Sequence, residues 1–238
     1  MPLDFPLRVL TYNIRHCKGL DGKVSLCRVA AVIRSAGADL VALQEVDAFS
    51  SRSGFRHQAA ALGRQLNMWS VYGPTRKTFK LAQFGNAILG KWNLAETFQH
   101  KLPGRGEARG LLGVTVTGNG MKVNFVTTHL GLDEKDREEQ VGKIVEVLRD
   151  TTMPFIFCGD FNCHPGAGEL VPLYSLARDA AEVFGTDAPT FPAGRPGARI
   201  DYVFISSHWS VLSVEVLETD ASDHLPVLAK LEPTAGSY

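Results

Sequence analysis

Twice along this chain an apolar, β-prone run is followed by an amphipathic helix and a second apolar run, and each run stops at polar residues. In the first unit, Arg8 to Tyr12 stops at Asn13. Ser25 is placed to cap a helix whose Leu26, Val29, Ala30 and Ile33 share one face, with Gly37 as its stop. The run Asp39 to Leu43 follows and ends at Gln44-Glu45. In the second unit, Lys122 to Thr128 stops at His129. Asp133 to Arg149 then carries the stripe Val141, Ile144, Val145 and Leu148, and Pro154 to Cys158 ends at Asp160. A strand, crossover helix and strand make a parallel pair, so the carboxyl ends of both strands share one sheet edge. Asn13, Glu45, His129 and Asp160 are therefore expected on such edges. That regularity predicts two similar halves packed face to face around one cleft.

The second unit ends in Cys158-Gly159-Asp160-Phe161-Asn162. Alternation along extended backbone places Asp160 and Asn162 on the same side. Gly159 lets the chain bend and something bulky approach. A bare carboxylate at the end of an apolar strand is costly and needs a partner. The partner expected here is a water molecule attacking a phosphate.

The remaining segments complete an α/β pattern. A helix is expected from about Phe55 to Leu66, with Phe55, Ala59, Leu62 and Leu66 at helical spacing. Strands are expected at Phe84 to Leu89 and Gly110 to Thr117, and Pro103 to Arg109 reads as a surface loop. Two more strands, Arg199 to Ile205 and Ser222 to Leu228, carry Asp201, Asp223 and His224 near their starts. Antiparallel to their neighbours, they would present these groups at the same rim. No linker, low-complexity tract or fixed-period repeat divides the chain, so residues 1–238 are expected to form one catalytic domain.

Charge and cysteine content narrow the functional classes. Twenty-five acidic residues balance 25 basic ones, so duplex DNA, which is held through many basic phosphate contacts, is not the favoured partner. Cys17, Cys27, Cys158 and Cys163 form no paired framework. The opening Met1-Pro2-Leu3-Asp4-Phe5-Pro6 has no basic segment leading into an apolar one, and no run approaches membrane-spanning length. The expectation is a cytoplasmic monomer that inserts no segment into a membrane.

Seven motifs in order, Thr11-Tyr12-Asn13, Leu43-Gln44-Glu45-Val46, Gly85-Asn86-Ala87-Ile88-Leu89, Thr128-His129-Leu130, Gly159-Asp160-Phe161-Asn162, Arg199-Ile200-Asp201-Tyr202 and Ser222-Asp223-His224-Leu225-Pro226, run from residue 11 to 226. Together they resemble the endonuclease/exonuclease/phosphatase superfamily. The resemblance implies a four-layer α/β sandwich, two packed mixed β-sheets with helices outside, that hydrolyses phosphoesters with Mg²⁺ or Mn²⁺. It also implies that Glu45 and Asn13 hold the metal, with Asp223 close to it or to a second ion. Asp160 would orient and deprotonate water, helped by Asn162. Asp201 would fix His224, which with His129 would contact the phosphate. Thr128-His129-Leu130 resembles the sphingomyelinase, deadenylase and DNase-like branches, and the Tyr-x-Pro-Asn segment usual in abasic-site endonucleases is absent. Thr190-Phe191-Pro192 resembles small bacterial metal-dependent hydrolases.

The residue types agree with that chemistry. Glu45, Asn13 and Asp223 are hard oxygen donors of the kind Mg²⁺ takes. Asp160 can accept a proton, whereas the Asn162 amide can only donate a hydrogen bond or accept one. An imidazole bonded to a carboxylate favours its charged form. Plainer readings stand beside these. Asp160 and Asp223 are also ordinary turn residues, Asn13 a strand-end cap, Glu45 a surface carboxylate, and Asp201 a partner for Arg199. Asn86 orients the phosphate or ties two loops together; Arg109 and Arg52 contact substrate or form ion pairs. Lys135 to Glu139 reads as a solvated helix face. His16-Cys17 and Cys163-His164 would bind a soft second metal only if both turns bordered the cleft. The reading that follows is a phosphodiesterase for a small or lipid-derived phosphoester. The alternatives are a nuclease and, from another class, an inactive phosphate-binding module.

Overall fold

A computed structural model describes residues 3–78, 81–94, 96–118 and 120–234. Met1, Pro2 and the last four residues, where the reading of the chain start and the outer limits of the expected domain fall, lie outside them. In chain order the elements are β1 (Leu7–Asn13), α1 (Leu26–Ala36), β2 (Leu40–Ala48), α2 (Gln58–Leu66), β3 (Trp69–Thr78) and β4 (Ala82–Gly90). They continue with β5 (Glu96–Lys101), β6 (Gly110–Gly118), β7 (Met121–His129), α3 (Glu134–Arg149) and β8 (Phe155–Asp160). The last are α4 (Val171–Tyr174), β9 (Arg178–Asp179), α5 (Ala180–Phe184), β10 (Asp201–Ile205), β11 (Trp209–Val216) and β12 (Val227–Pro233).

The strands form two six-stranded sheets, ordered β11-β12-β1-β2-β4-β3 and β5-β6-β7-β8-β10-β9. Each has one parallel pair at its centre, β1 with β2 and β7 with β8, and antiparallel neighbours on both sides. The two β-α-β units thus occupy equivalent positions in the two sheets. Alternation explains why their strands read as continuous apolar runs. Val9, Leu40 and Ala42 face a core between the sheets, where they meet Val114, Phe125, Ile156 and Cys158. Their neighbours Leu10, Val41 and Leu43 face outward onto Val29, Ala30 and Ile33 of α1. On the far side Val126, Phe155 and Phe157 meet Val141, Ile144 and Val145 of α3. Helix, sheet, sheet and helix form the four layers.

The expected helix signals act as read. Ser25 Oγ accepts from Arg28 N, Gly37 closes α1 in the left-handed conformation, and Asp133 caps α3. Among the described residues no helix is long and apolar enough to cross a membrane.

Several expectations need correction. β2 does not stop at Glu45. It runs to Ala48 through a bulge between Leu43 and Val46 in its pairing with β4, because the partner strand continues to supply hydrogen bonds. Phe55 lies ahead of α2 and is exposed, since His57 caps the helix. Ser222 to Pro226 is a loop, and β12 begins only at Val227. Asn162 lies beyond the end of β8 in a left-handed turn with φ 51°, so strand alternation does not relate it to Asp160. β3, β5, β9 and β11 were not foreseen. Within the supposed solvated face, Asp136 is buried and accepts from the backbone N–H groups of Arg105 and Gly106, anchoring the loop after Pro103.

Candidate active site

The carboxyl ends of both parallel pairs meet at one pit. Asn13 is the last residue of β1, Glu45 sits in the β2 bulge with φ 57°, His129 ends β7 and Asp160 ends β8. β10 runs antiparallel to β8 and pairs Asp201 directly with Asp160. His224 arrives on the loop before β12. That loop is held by Ser222, whose Oγ donates to the Asn13 carbonyl at 2.7 Å, and by Leu225 N, which donates to the Thr190 carbonyl at 2.8 Å. Gly159 permits the central strand to close up, because a Cβ there would meet the Thr128 carbonyl oxygen of β7 at 2.1 Å.

Asp160 is the hub. Its Oδ2 accepts from Asn13 Nδ2 at 2.9 Å, across the two sheets, and lies 3.4 Å from His129 Nε2 and 3.6 Å from His224 Nε2. Its Oδ1 accepts from the backbone N–H of Asn162 at 3.0 Å. Asn13 Nδ2 also reaches Glu45 Oε1 at 3.4 Å. Asp201 Oδ2 lies 2.9 Å from His224 Nδ1 and accepts from Thr190 Oγ1 at 2.6 Å. Glu45 and His224 are therefore linked through Asn13 and Asp160, as the proposed common site requires.

Burial makes these charges interdependent. Asp160 is pushed up to about 7, by desolvation first and by Asp201 second, with His224 and Asn13 opposing. At His224 burial works against the charge, yet the Asp201 carboxylate overcomes it and holds the imidazole at about 10. His129 goes the other way. Burial, then the Arg109 and His224 cations, keep it well below its ordinary value, so it is neutral. Arg109 Nη1 lies 3.1 Å from His129 Nδ1 and can only donate, which leaves the His129 proton on Nε2, facing Asp160. Glu45 is raised by burial and, despite the Asn13 hydrogen bond, by Asp223.

The other expected residues divide. Asp223 borders the pit, paired through Oδ2 with Arg15 Nε at 3.2 Å. Arg109 is buried; its Nη1 lies 3.4 Å from Glu107 Oε2, and its Nε has no partner among the described residues. Asn86 of β4 donates to the Gly110 carbonyl of β6 at 3.1 Å, which ties the sheets together. Asn162 turns its amide to the Leu130 carbonyl at 3.0 Å, so its backbone rather than its side-chain nitrogen meets Asp160. Arg199 does not pair with Asp201; it forms ion pairs with Asp179 and Asp187. Arg52 makes a two-pronged pair with Asp47.

The soft-metal constellation does not assemble. Cys17 is buried under α1 and Cys163 under α3, in separate outer cores, and His164 is exposed. The missed residues are Thr190, Arg15 and Gln44. Thr190 was visible in Thr190-Phe191-Pro192, but nothing in the chain ties it to Asp201. Gln44 bridges Thr11 and Thr127 beneath the pit at 3.2 and 2.9 Å.

Two donor groups suit a cation differently. Ligand atoms of Asp160, Asp201 and His224 all lie within 4.8 Å of one another, but His224, charged between two carboxylates, already supplies the positive charge there. Glu45 and Asp223 offer hard carboxylate oxygens and Asn13 its Oδ1, which accepts from the Arg15 N–H at 3.1 Å while its Nδ2 faces Glu45. Burial first, and then the Asp223 charge, raise Glu45, and a bound cation would offset both.

Comparisons with known proteins agree with this fold. A sphingomyelinase C of Listeria ivanovii is 25% identical over 228 residues, covering 74% of this chain and 68% of that protein. An endonuclease/exonuclease/phosphatase from Beutenbergia cavernae is 26% identical with a TM-score of 0.79, over 95% of this chain and 71% of that one. The human Nocturnin catalytic domain shares the fold at 21% identity and a TM-score of 0.77, over 98% and 96%. Members of the matching family hydrolyse phosphoesters, generally with divalent metals. The model of the Endonuclease/Exonuclease/phosphatase family matches residues 10–224, and this chain belongs to that family.

Proposed function

We propose that this chain is a divalent-metal-dependent phosphodiesterase that hydrolyses a small or lipid-derived phosphoester by direct attack of water. The observation that carries the reading is Asp160, a buried carboxylate whose Oδ2 lies 3.4 Å from His129 Nε2 and 3.6 Å from His224 Nε2. Raised to about 7, it is a base matched to neutral pH. It accepts the proton of the attacking water while Asn13 Nδ2 and the Asn162 N–H fix its two oxygens. His224, cationic through Asp201, donates to a phosphate oxygen where charge builds. His129 and Arg109 supply further donors on the opposite side. Glu45, Asn13 and Asp223 would hold Mg²⁺ or Mn²⁺, the hard oxygen set that such ions take. When bound, the ion offsets phosphate charge and stabilises the departing alkoxide.

The diester preference draws support from the Listeria sphingomyelinase C relative and from the balanced net charge, which does not favour long nucleic acids. The test is hydrolysis of bis-p-nitrophenyl phosphate, p-nitrophenyl phosphate and plasmid DNA, with Mg²⁺ or Mn²⁺ and after chelation. Diester cleavage that needs the metal and spares plasmid is expected. Plasmid nicking would favour a nuclease, and metal binding without turnover an inactive phosphate binder. Asp160→Ala abolishes turnover in this scheme; a nearly normal rate in that variant would end it.

A further inference from the structure

Beside the pit, on the rim formed by the β2–α2 loop and the β3–β4 hairpin, lies a surface the catalytic scheme does not use. Phe49, Ser51, Phe55, Leu81 and Ala82 line an open concavity of about 400 Å³. Phe55 is 69% exposed, Leu81 71% and Phe49 44%. Scattered apolar residues on a surface are ordinary, but large ones converging on one hollow mark a contact site. Phe49 sets its ring edge-on against His57 at 5.6 Å between centres. Phe55 sits in a left-handed turn with φ 55°, a conformation for which Asn or Gly is the usual choice.

Charge identifies the occupant. The chain is neutral overall, yet between Asp47 and Glu96 it has no acidic residue and seven basic ones, Arg52, Arg56, Arg64, Arg76, Lys77, Lys80 and Lys91. Arg56 and Lys77 are exposed on the two segments that carry the hollow, and Arg52 and Arg76, exposed beside them, are shared with Asp47 and Glu107. Arg52 lies between this rim and the β2 bulge: Asp47 holds it in a two-pronged pair and acts on its charge first, Glu45 more weakly, and its guanidinium lies 5.3 Å from the Phe84 ring centre. Apolar tips set among cations match the interface of an anionic lipid bilayer, where ring and alkyl groups enter the acyl boundary and Lys or Arg stay with the headgroups.

We propose that this rim docks the protein on anionic lipid surfaces, with Phe49, Phe55 and Leu81 resting in the interface and the pit opening beside them. The substrate is then a phosphodiester presented at that surface. Docking takes only side-chain tips and no spanning segment. For the location of the chemistry the proposal rests on the phosphodiesterase reading, but binding is measured without turnover.

The experiment is co-sedimentation of the full chain with phosphatidylcholine vesicles and with vesicles of phosphatidylcholine and phosphatidylglycerol, alongside hydrolysis of soluble bis-p-nitrophenyl phosphate. Binding to the anionic vesicles that weakens with salt is expected. The double variant Phe55→Asn, Leu81→Ser, changed only at exposed positions, should bind at least about tenfold more weakly, the scale of removing one apolar side chain from an interface. Its turnover of the soluble diester should be unchanged. Arg56→Glu should weaken binding to anionic vesicles and leave soluble turnover intact. Equal vesicle binding by wild type and double variant would overturn the proposal, as would binding of a single-stranded oligonucleotide in place of vesicles. A dimer in solution that the double variant abolishes would reassign the hollow to a second copy of the chain. An inert protein that still binds vesicles would sink the catalytic reading and leave docking standing.

Discussion

Asp201→Asn isolates the charge that makes His224 cationic. The substitution keeps shape and leaves an oxygen to accept from Thr190, but removes the carboxylate 2.9 Å from His224 Nδ1. The native imidazole is held at about 10 against the opposing effect of burial. Without Asp201 only burial and the more distant carboxylates act, and His224 falls to its ordinary range near 6.5 or below. That displacement, about 3.5 pH units, corresponds to about 5 kcal/mol at about 1.4 kcal/mol per unit. The side chain is 7% exposed, so solvent screens little of it. A His raised above its unfolded value stabilises the fold fully below about 6.5 and loses that contribution as pH climbs through about 10. In kcat/KM measured against pH on bis-p-nitrophenyl phosphate, the wild type should therefore keep activity to near pH 10. The variant should lose its alkaline limb below pH 7 and fall by about 10²–10⁴-fold at pH 8. Urea melts should show the variant most destabilised at and below about pH 6.5, less so as pH climbs, and least above pH 10. An unchanged alkaline limb, with a lower rate at every pH, would refute the charge argument and leave Asp201 a packing residue.

Other perturbations probe the frame and the base. Gly159→Ala sets a methyl against the Thr128 carbonyl oxygen at 2.1 Å, so chemical denaturation should show a loss of at least about 2 kcal/mol. Arg199→Met strips the buried Asp179 carboxylate of its 2.6 Å partner; thermal and urea unfolding should report about 3–5 kcal/mol lost, and a change within experimental error would remove that pair from the stability account. With Asp160 raised to about 7, kcat/KM should decline as pH drops below that value, because the protonated acid cannot accept a proton. An acid limb lying instead near pH 4 would mean that Asp160 is not the base.

Much of the frame was legible because it follows from local chemistry. Periodicity of 2 and 3.6, the Ser25 and Gly37 caps, and the handedness of crossovers sufficed to put Asn13, His129 and Asp160 at carboxyl ends of parallel strands, with Glu45 just past the parallel pairing of β1 and β2. Edge strands were another matter. β5, Glu96–Lys101, is mostly exposed and mixed in character, so it carries no apolar signal, and it is a strand only because β6 offers hydrogen bonds. The β2 bulge that turns Glu45 toward Asn13 is likewise a property of a pair of strands, absent from either alone. The position of Asn162 was misjudged because alternation ends where the strand does.

By itself, then, the amino-acid order determined the two β-α-β units and which polar groups end them, since side-chain periodicity and chain connectivity are local properties. Only the tertiary structure decided that Asp160 joins Asn13 across two sheets, that Asp201 takes His224 and Thr190 rather than Arg199, and that Cys17 and Cys163 are kept apart. Those outcomes depend on how two separately built sheets stack and how a long-range loop is pinned. The energies involved, burial and charge among residues up to about 200 positions apart, exist only once the layers have closed.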